Sequence, residues 1–302
     1  MSKTVFALLL GNKEGEPADL YQQLQKKEAL AHADPAGLTV EVACAPGFDQ
    51  YRVLRKRLGD TSSPVDAVLT EPANASTMGF MLKELRGRTG FVVLNAWDPV
   101  VEGAIDGWGE HLPIGAVSTP HAAIGEIQGR QVGAVVPQDG SVLVVTGPSR
   151  SSAAPERLEG FRSTIRPDIT VSDAEAGQWT EADGILAFNA WYGVFKTRHE
   201  VIHAIAGQSD DVAVGAREAS LAVPNAEHAA MFAKAKLFGV GGCPGFGKDH
   251  VDSGTLDATI AVPLNTGMAI TLLKRYWAGE GPFPRRSFTE VSPYPATSVG
   301  TS

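Results

Sequence analysis

The most chemically suggestive run in the sequence is His199-Glu-Val-Ile-His203. It matches HExxH, in which two imidazoles one helical turn apart bind zinc while the intervening glutamate activates a water. The pattern needs a continuous helix, but residues 201–206 have the composition of a short buried strand. No second metalloprotease motif follows. Zinc hydrolysis through His199, Glu200 and His203 is therefore the alternative hypothesis, and a helix end that enters a strand is the preferred interpretation.

Two glycine-containing runs have an equally weak claim to catalysis. Gly242-Cys-Pro-Gly-Phe-Gly-Lys248 matches the GxxxxGK phosphate loop, but Asp249 stands where a hydroxyl should meet magnesium, and its carboxylate would repel phosphates. The run is interpreted as a glycine-rich turn after a strand, with no clear activator for Cys243. Gly147-Pro-Ser-Arg-Ser151 lacks the second glycine of a nucleophile elbow. No catalytic residue and no cofactor are predicted.

These motifs lie in a chain that alternates short apolar, β-branched runs with helical segments. Strands are predicted at residues 4–10, 38–43, 65–69, 91–94, 114–117, 141–146, 168–171, 203–206, 237–241 and 255–261. The main helices are predicted at residues 17–32, 48–58, 74–86, 152–165, 180–196 and 266–277, with another after Pro120. Thr180 and Asp183 form a capping box at the start of their helix. The alternation predicts parallel sheets covered by helices on both faces.

Length and charge limit the classes of function. The 302 residues suggest about two domains at roughly 150 residues per domain. A formal net charge of -8 argues against a nucleic-acid partner or an anionic membrane surface. No apolar run approaches the ~20 residues that span a bilayer. Cys44 and Cys243 could be free thiols or a single bridge.

Three runs between residues 118 and 161 stand out: Ser118-Thr-Pro-His-Ala-Ala-Ile-Gly-Glu126, Gly140-Ser-Val-Leu-Val-Val-Thr-Gly-Pro148 and Ser151-Ser-Ala-Ala-Pro-Glu-Arg-Leu-Glu-Gly-Phe161. They resemble the second domain of the type I periplasmic sugar-binding proteins, the family that includes ribose-binding proteins and the effector domains of the lactose-repressor group. The resemblance continues at residues 177–179, 203–216 and 254–263, whereas the first ninety or so residues match only in rhythm.

The resemblance implies an α/β fold of two doubly wound, Rossmann-like parallel-sheet domains joined by a three-segment hinge. The amino-terminal lobe would comprise residues 1–118 plus about 263–290, and the carboxy-terminal lobe residues 119–262 plus about 291–302. A small polar ligand, expected to be a sugar or sugar-like molecule, would bind in the cleft between the lobes without being converted. Its partner would be an ABC transporter permease or a membrane sensor.

The family pattern also implies which side chains bind the ligand, because ligands meet the loops after the strands. The Asp-Arg pair common after the fourth strand is replaced by Asn95-Ala96, and an aspartate common after a later strand by Cys243. These departures predict a ligand that is less polar or larger than a free pentose. The expected ligand-binding residues are Asn12, Asn95, Trp97, Arg150, Trp179, Ser209, Asp210 and Cys243.

The family implies a periplasmic location, but the longest early apolar run, residues 5–10, is too short for a signal-peptide core. If the chain is full length, a cytoplasmic ligand-sensing domain of the same fold is a further alternative.

Overall fold

The computed structural model describes residues 2–34, 37–95, 99–109, 111–197 and 200–299. The chain forms two compact units. The amino-terminal unit comprises Met1–Thr119 and Pro263–Thr289, and the central unit comprises Pro120–Val262 and Glu290–Ser302. Among the described residues, no helix combines the length and the apolar character needed to cross a membrane.

The strands and helices are defined in chain order. The strands are β1 (Lys3–Lys13), β2 (Glu16–Pro17), β3 (Leu38–Ala45), β4 (Ala67–Thr70), β5 (Gly90–Leu94), β6 (Ile114–Ser118), β7 (Ser141–Thr146), β8 (Thr170–Glu175), β9 (Ala204–Gly207), β10 (Lys236–Phe238), β11 (Thr259–Ala261), β12 (Arg286–Phe288) and β13 (Ser292–Tyr294). The helices are α1 (Leu20–Ala31), α2 (Asp49–Leu58), α3 (Ala75–Leu85), α4 (Pro99–Ile105), α5 (His121–Val135), α6 (Ala153–Thr164), α7 (Glu181–Phe195), α8 (Asp210–Leu221), α9 (Ala226–Lys234), α10 (Gly247–Asp252) and α11 (Thr266–Trp277); a 3-10 turn covers Ala296–Val299.

The sheet of the amino-terminal unit is mainly parallel. Its strands run in the order β12-β6-β5-β4-β1, with β3 also parallel to β1 and the short β2 antiparallel to it. Alternate residues of β1 point to opposite faces, so that Val5 packs with α11 residues such as Ile270, whereas Phe6 packs with Leu54 of α2. Burial on both faces explains the nearly continuous apolar sequence of this strand.

The central unit repeats this construction in a four-stranded parallel sheet of order β10-β9-β7-β8. Leu143 faces the aromatic core formed with Phe188 of α7, and Val144 faces the opposite core with Phe161 of α6. Strands β11 and β13 form a separate antiparallel pair. The predicted α/β class with doubly covered parallel sheets is confirmed.

Most predicted strands and helices are present with shifted ends. Thr180 caps α7 and accepts a hydrogen bond from the Asp183 amide, as the capping box predicts. The predicted strand at 255–261 is wrong in its first half, because only Thr259–Ala261 is extended. Its start follows a left-handed Gly254 (φ 78°), and Leu256 turns into the aromatic core. The short helix α10 was not predicted separately from the glycine-rich turn.

The return of the chain to the amino-terminal unit is fixed by two side chains of α1. The Gln25 Oε1 atom accepts from the backbone amides of Asn265 and Thr266, both at 3.0 Å, and Glu28 Oε2 accepts from the Gly267 amide at 2.7 Å. These are the amides at the start of α11, which have no partner within their own helix. The Glu28 carboxylate also faces the positive end of the α11 dipole. Helix α1 therefore caps α11 in place of a local residue.

Replacing Thr266 by valine should destabilise the protein by about 1–3 kcal/mol, because its fully buried hydroxyl bonds to Glu28 Oε2 at 2.7 Å. The free energy of unfolding in urea measures this loss. Thr271→Val is the matched control, since that hydroxyl is exposed and bonds only to the Gly267 carbonyl of its own helix. Equal losses in the two variants would contradict the role given to the α1–α11 contact.

Candidate functional site

Three polar residues of the amino-terminal unit lie where neighbouring parallel strands end. Asn12 lies near the end of β1, Glu71 directly follows β4, and Asn95 directly follows β5. Strands β1, β4 and β5 are adjacent and parallel, so their carboxyl ends share one edge of the sheet. This is the edge at which open α/β sheets bind ligands.

Glu71 is the centre of a hydrogen-bonded network at this edge. Its carboxylate accepts from Gln22 Nε2 at 2.7 Å and from Asn95 Nδ2 at 3.1 Å, while its backbone carbonyl accepts from Gln50 Nε2 at 2.9 Å. Gln22 and Gln50 are buried, so the Glu71 carboxylate and the Glu71 carbonyl are each held by an amide that cannot turn to water. The network orients an acceptor and an amide on adjacent loops, as a hydroxyl-rich ligand requires.

The structure thus brings the predicted Asn95 together with Glu71, a residue that was not predicted. Asn95 has a left-handed backbone (φ 55°), a conformation that asparagine tolerates better than most residues. The only sequence signal for Glu71 was its position immediately after a predicted strand. Asn12 is exposed and donates to the Ala18 carbonyl at 3.0 Å across the β1–β2 hairpin. Trp97 lies outside the described residues.

An aromatic ring and a cation face each other in the central unit. The Trp179 ring is half-buried and lies against Gly147, the residue that follows β7; a Cβ atom there would overlap the ring. The Arg157 guanidinium carbon lies 5.2 Å from the ring centroid, a cation–π distance. Arg157 also donates to the Gln208 carbonyl at 2.5 Å, which fixes the guanidinium beside the indole. Sequence comparison predicted Trp179 but not Arg157.

Arg150 connects the loops after β7 and β8. This exposed side chain donates to the Gly177 carbonyl at 2.8 Å. Next to it, the Ser149 backbone amide donates to Glu175 Oε1 at 2.8 Å, and this bond is the main reason that the pKa of Glu175 lies below its usual value. The predicted Arg150 is thus close to Gly177, two residues before Trp179.

The loop after β9 carries Ser209 and Asp210. Ser209 is the N-cap of α8 and accepts from the Val212 amide at 3.1 Å. Asp210 is 2% exposed, and its two carboxylate oxygens accept from the Gly242 amide at 2.7 Å and from Thr259 Oγ1 at 2.5 Å. Burial raises the pKa of Asp210 above the ordinary aspartate value. Cys243, next to Gly242, is half-buried and is not part of a disulfide.

The zinc-site geometry of the HExxH run is not formed. Helix α7 ends at Phe195, and residues 200–203 are not helical; His199 lies outside the described residues. The His203 Nδ1 atom accepts from the Ser141 amide at 3.1 Å, so the neutral ring carries its proton on Nε2 and has no lone pair left for a metal. The described residues contain no cluster of three or more His, Cys, Asp or Glu residues suited to a metal.

Residues 200–203 of the HExxH run line a shallow cavity of about 550 Å³, together with Glu227 and His228. The cavity lies where β9 and β10 begin, at the opposite end of these strands from Asp210 and Gly242. His228 Nδ1 is 3.0 Å from the Tyr192 hydroxyl. The cavity is therefore separate from the loops that carry the predicted ligand-binding residues.

Purified protein should contain well under one zinc ion per chain, and EDTA should leave its melting temperature unchanged, because His203 is committed to a backbone amide. Elemental analysis and a thermal melt with and without EDTA measure these quantities. Zinc that is bound stoichiometrically and lost in His203→Asn would contradict this interpretation.

Comparisons with known proteins agree with the fold. Residues 59–281, well over half of the chain, match the model of a family described as periplasmic binding protein domain. No curated protein matches the sequence significantly.

Solved structures are similar over nearly the whole chain. The binding protein of the arabinose ABC transporter from Shewanella, bound to L-arabinofuranose, has a TM-score of 0.77 at 17% identity, covering 98% of this chain and 93% of that one. A solute-binding protein from Actinobacillus succinogenes with bound D-allose has a TM-score of 0.75 at 17% identity, covering 99% of each chain. A periplasmic ribose ABC transporter protein from Conexibacter woesei has a TM-score of 0.73 at 19% identity, covering 97% and 91%.

Proposed function

Because the chain belongs to the periplasmic binding protein family, we propose that it is a receptor that captures a small carbohydrate and releases it unchanged. The observation that carries this proposal is the half-buried Trp179, fixed beside the Arg157 guanidinium at the strand ends of the central unit. An indole face stacks on the C–H face of a sugar ring, and a guanidinium donates to hydroxyl oxygens. Members of this family bind solutes and are not enzymes.

The amino-terminal unit supplies complementary chemistry. The Glu71 carboxylate is an acceptor for hydroxyl protons, and its orientation is set by Gln22 and Asn95. An uncharged polyhydroxy compound suits both sets of groups, because it offers an apolar ring face together with hydroxyls that donate and accept. The similar solved structures with arabinofuranose and allose support the same class of ligand.

The residues of the two units act on one ligand in this proposal. We expect the amino-terminal lobe, residues 1–118 plus about 263–290, to close on the carboxy-terminal lobe when the sugar binds. Stacking on Trp179 and hydrogen bonding at Glu71 are then formed together, so that only a ligand that satisfies both stabilises the closed state. Asn12, Trp97, Arg150, Ser209 and Cys243 remain predicted members of this ligand-binding set.

The expected partner of the loaded protein is an ABC transporter permease, and its expected location is the periplasm. The periplasmic family and the ribose and arabinose transporters to which similar structures belong support both statements. Fractionation of the native cells tests the location. Crosslinking to membranes that contain the cognate permease, with and without sugar, tests the partner.

Sugars of the preferred class should raise the melting temperature, since a ligand at a hundredfold excess over its Kd adds about 2.7 kcal/mol to the stability. A thermal-shift screen over pentoses, hexoses in furanose and pyranose form, polyols and nucleosides identifies the ligand. Recovering the ligand after long incubation and comparing its NMR spectrum before and after tests for conversion. Absence of any shift across the panel would contradict the binding role, and a new product would contradict the receptor role.

Glu71→Leu and Trp179→Ala should each weaken the binding of the identified sugar by about tenfold or more, because each loss removes about 1.4 kcal/mol or more of interaction. Isothermal titration calorimetry measures the Kd values. The matched controls are Glu84→Leu and Trp277→Ala. Glu84 lies near the end of α3, and Trp277 is the last residue of α11; neither directly follows a strand. Controls that weaken binding as much as the test variants would contradict the assignment.

A further inference from the structure

Asp210 lies at the first position of α8, yet its carboxylate points into the protein rather than to solvent. Both of its oxygens accept hydrogen bonds: one from the Gly242 amide, the other from the Thr259 hydroxyl. Its own amide donates to the Val240 carbonyl at 2.8 Å. One side chain therefore connects the end of β9, the loop after β10 and strand β11.

The loop after β10 is shaped around this carboxylate. A Cβ atom built on Gly239 or on Gly247 would overlap an Asp210 carboxylate oxygen, and one on Gly241 would come within 2.7 Å. Only glycine allows the chain to pass this close to the side chain on both sides. Of the two glycines whose spacing imitates a phosphate loop, Gly247 is required by its close approach to this carboxylate, whereas Gly242 passes close to the backbone of Ala261.

Burial is the main influence on the pKa of Asp210 and raises it, while His250 of α10 and Arg157 of α6 act in the opposite direction. Arg157 is directed elsewhere, to the Gln208 carbonyl and the Trp179 ring. A carboxylate that is only 2% exposed is tolerated where hydrogen bonds replace its hydration. Removing either the carboxylate or one of the groups that donate to it should therefore release the loop.

We propose that Asp210 is a positioning residue that holds the glycine-rich loop of residues 239–247 in place, and that it does not touch the ligand. The functional importance of this role rests on the proposed function, because the loop carries the predicted ligand-binding residue Cys243. It replaces the direct contact that the sequence predicted for Asp210. Ligand affinity then depends on Asp210 only through the loop.

The rate at which dithionitrobenzoate modifies Cys243 tests this directly, and it needs no ligand. Cys44 is 1% exposed and supplies a slow background, which Cys243→Ser isolates. Asp210→Ala should raise the modification rate at Cys243 about tenfold or more. Asp210→Asn should stay within about twofold of the wild type, because an amide can accept from Gly242 and donate to the Thr259 hydroxyl oxygen.

A second pair of variants keeps the test decisive if Asp210→Ala fails to fold. Thr259→Val removes one partner of the carboxylate and should accelerate modification, whereas Thr259→Ser keeps the hydroxyl and should not. Circular dichroism is used to check whether each variant is folded. Rates that are equal in Asp210→Ala, Thr259→Val and wild type would overturn the proposal, as would an Asp210→Asn rate equal to that of Asp210→Ala.

The pH dependence of stability provides an independent readout. Since burial raises the folded-state pKa of Asp210, the folded protein holds this proton more tightly than the unfolded chain does. The wild type should therefore lose stability relative to Asp210→Asn as the pH rises through the folded-state pKa. A flat difference in the free energy of unfolding across this range would contradict a buried, partner-dependent carboxylate. If no sugar binds but the thiol and pH results hold, the receptor hypothesis fails and the positioning role stands.

Discussion

A polar side chain that leaves water must find its partners inside the protein, and the strand-end loops of both units are organised by this requirement. In the central unit, Gln208 is fully buried; its Oε1 accepts from the Gly147 amide at 3.0 Å and its Nε2 donates to the Ala154 carbonyl at 3.1 Å. Asp210, two residues later, connects two more segments. In the amino-terminal unit, Gln50 bonds to the Glu71 carbonyl and accepts from the Ala73 amide. These strand-end loops are thus fixed by buried side chains from other segments of the chain rather than by their own sequence.

This dependence explains which parts of the molecule the sequence could predict. The sheets were predictable because strands buried on both faces have continuous apolar sequences, and α7 because its cap lies within four residues. Glu71 was missed because its partners Gln22 and Gln50 come from helices 49 and 21 residues away. No spacing rule connects these positions.

The HExxH run shows that a sequence motif can also suggest a site that the fold does not form. All its residue types fit a zinc site, but α7 ends before the run, and His203 is used to hold the start of β7. The glycine run 242–248 is similar, since Gly247 passes close to the Asp210 carboxylate and Gly242 passes close to the backbone of Ala261. In both cases a short motif reflects packing against a distant segment. Trp179 could be singled out only because the resemblance supplied the alignment, and its role in ligand binding stays a prediction.

The capping of α11 by α1 has a consequence for the order in which the chain folds. Gln25 bonds to Asn265 across 240 residues, and the buried core of the amino-terminal unit includes Ala269, Ile270 and Leu273. During synthesis, the residues of the central unit up to Val262 emerge before these partners do. The amino-terminal unit therefore begins first but cannot be completed until residues 263–289 have emerged, and until then its sheet lacks β12 and the cover that α11 gives to one face. A chaperone that shields that face would protect the amino-terminal unit first.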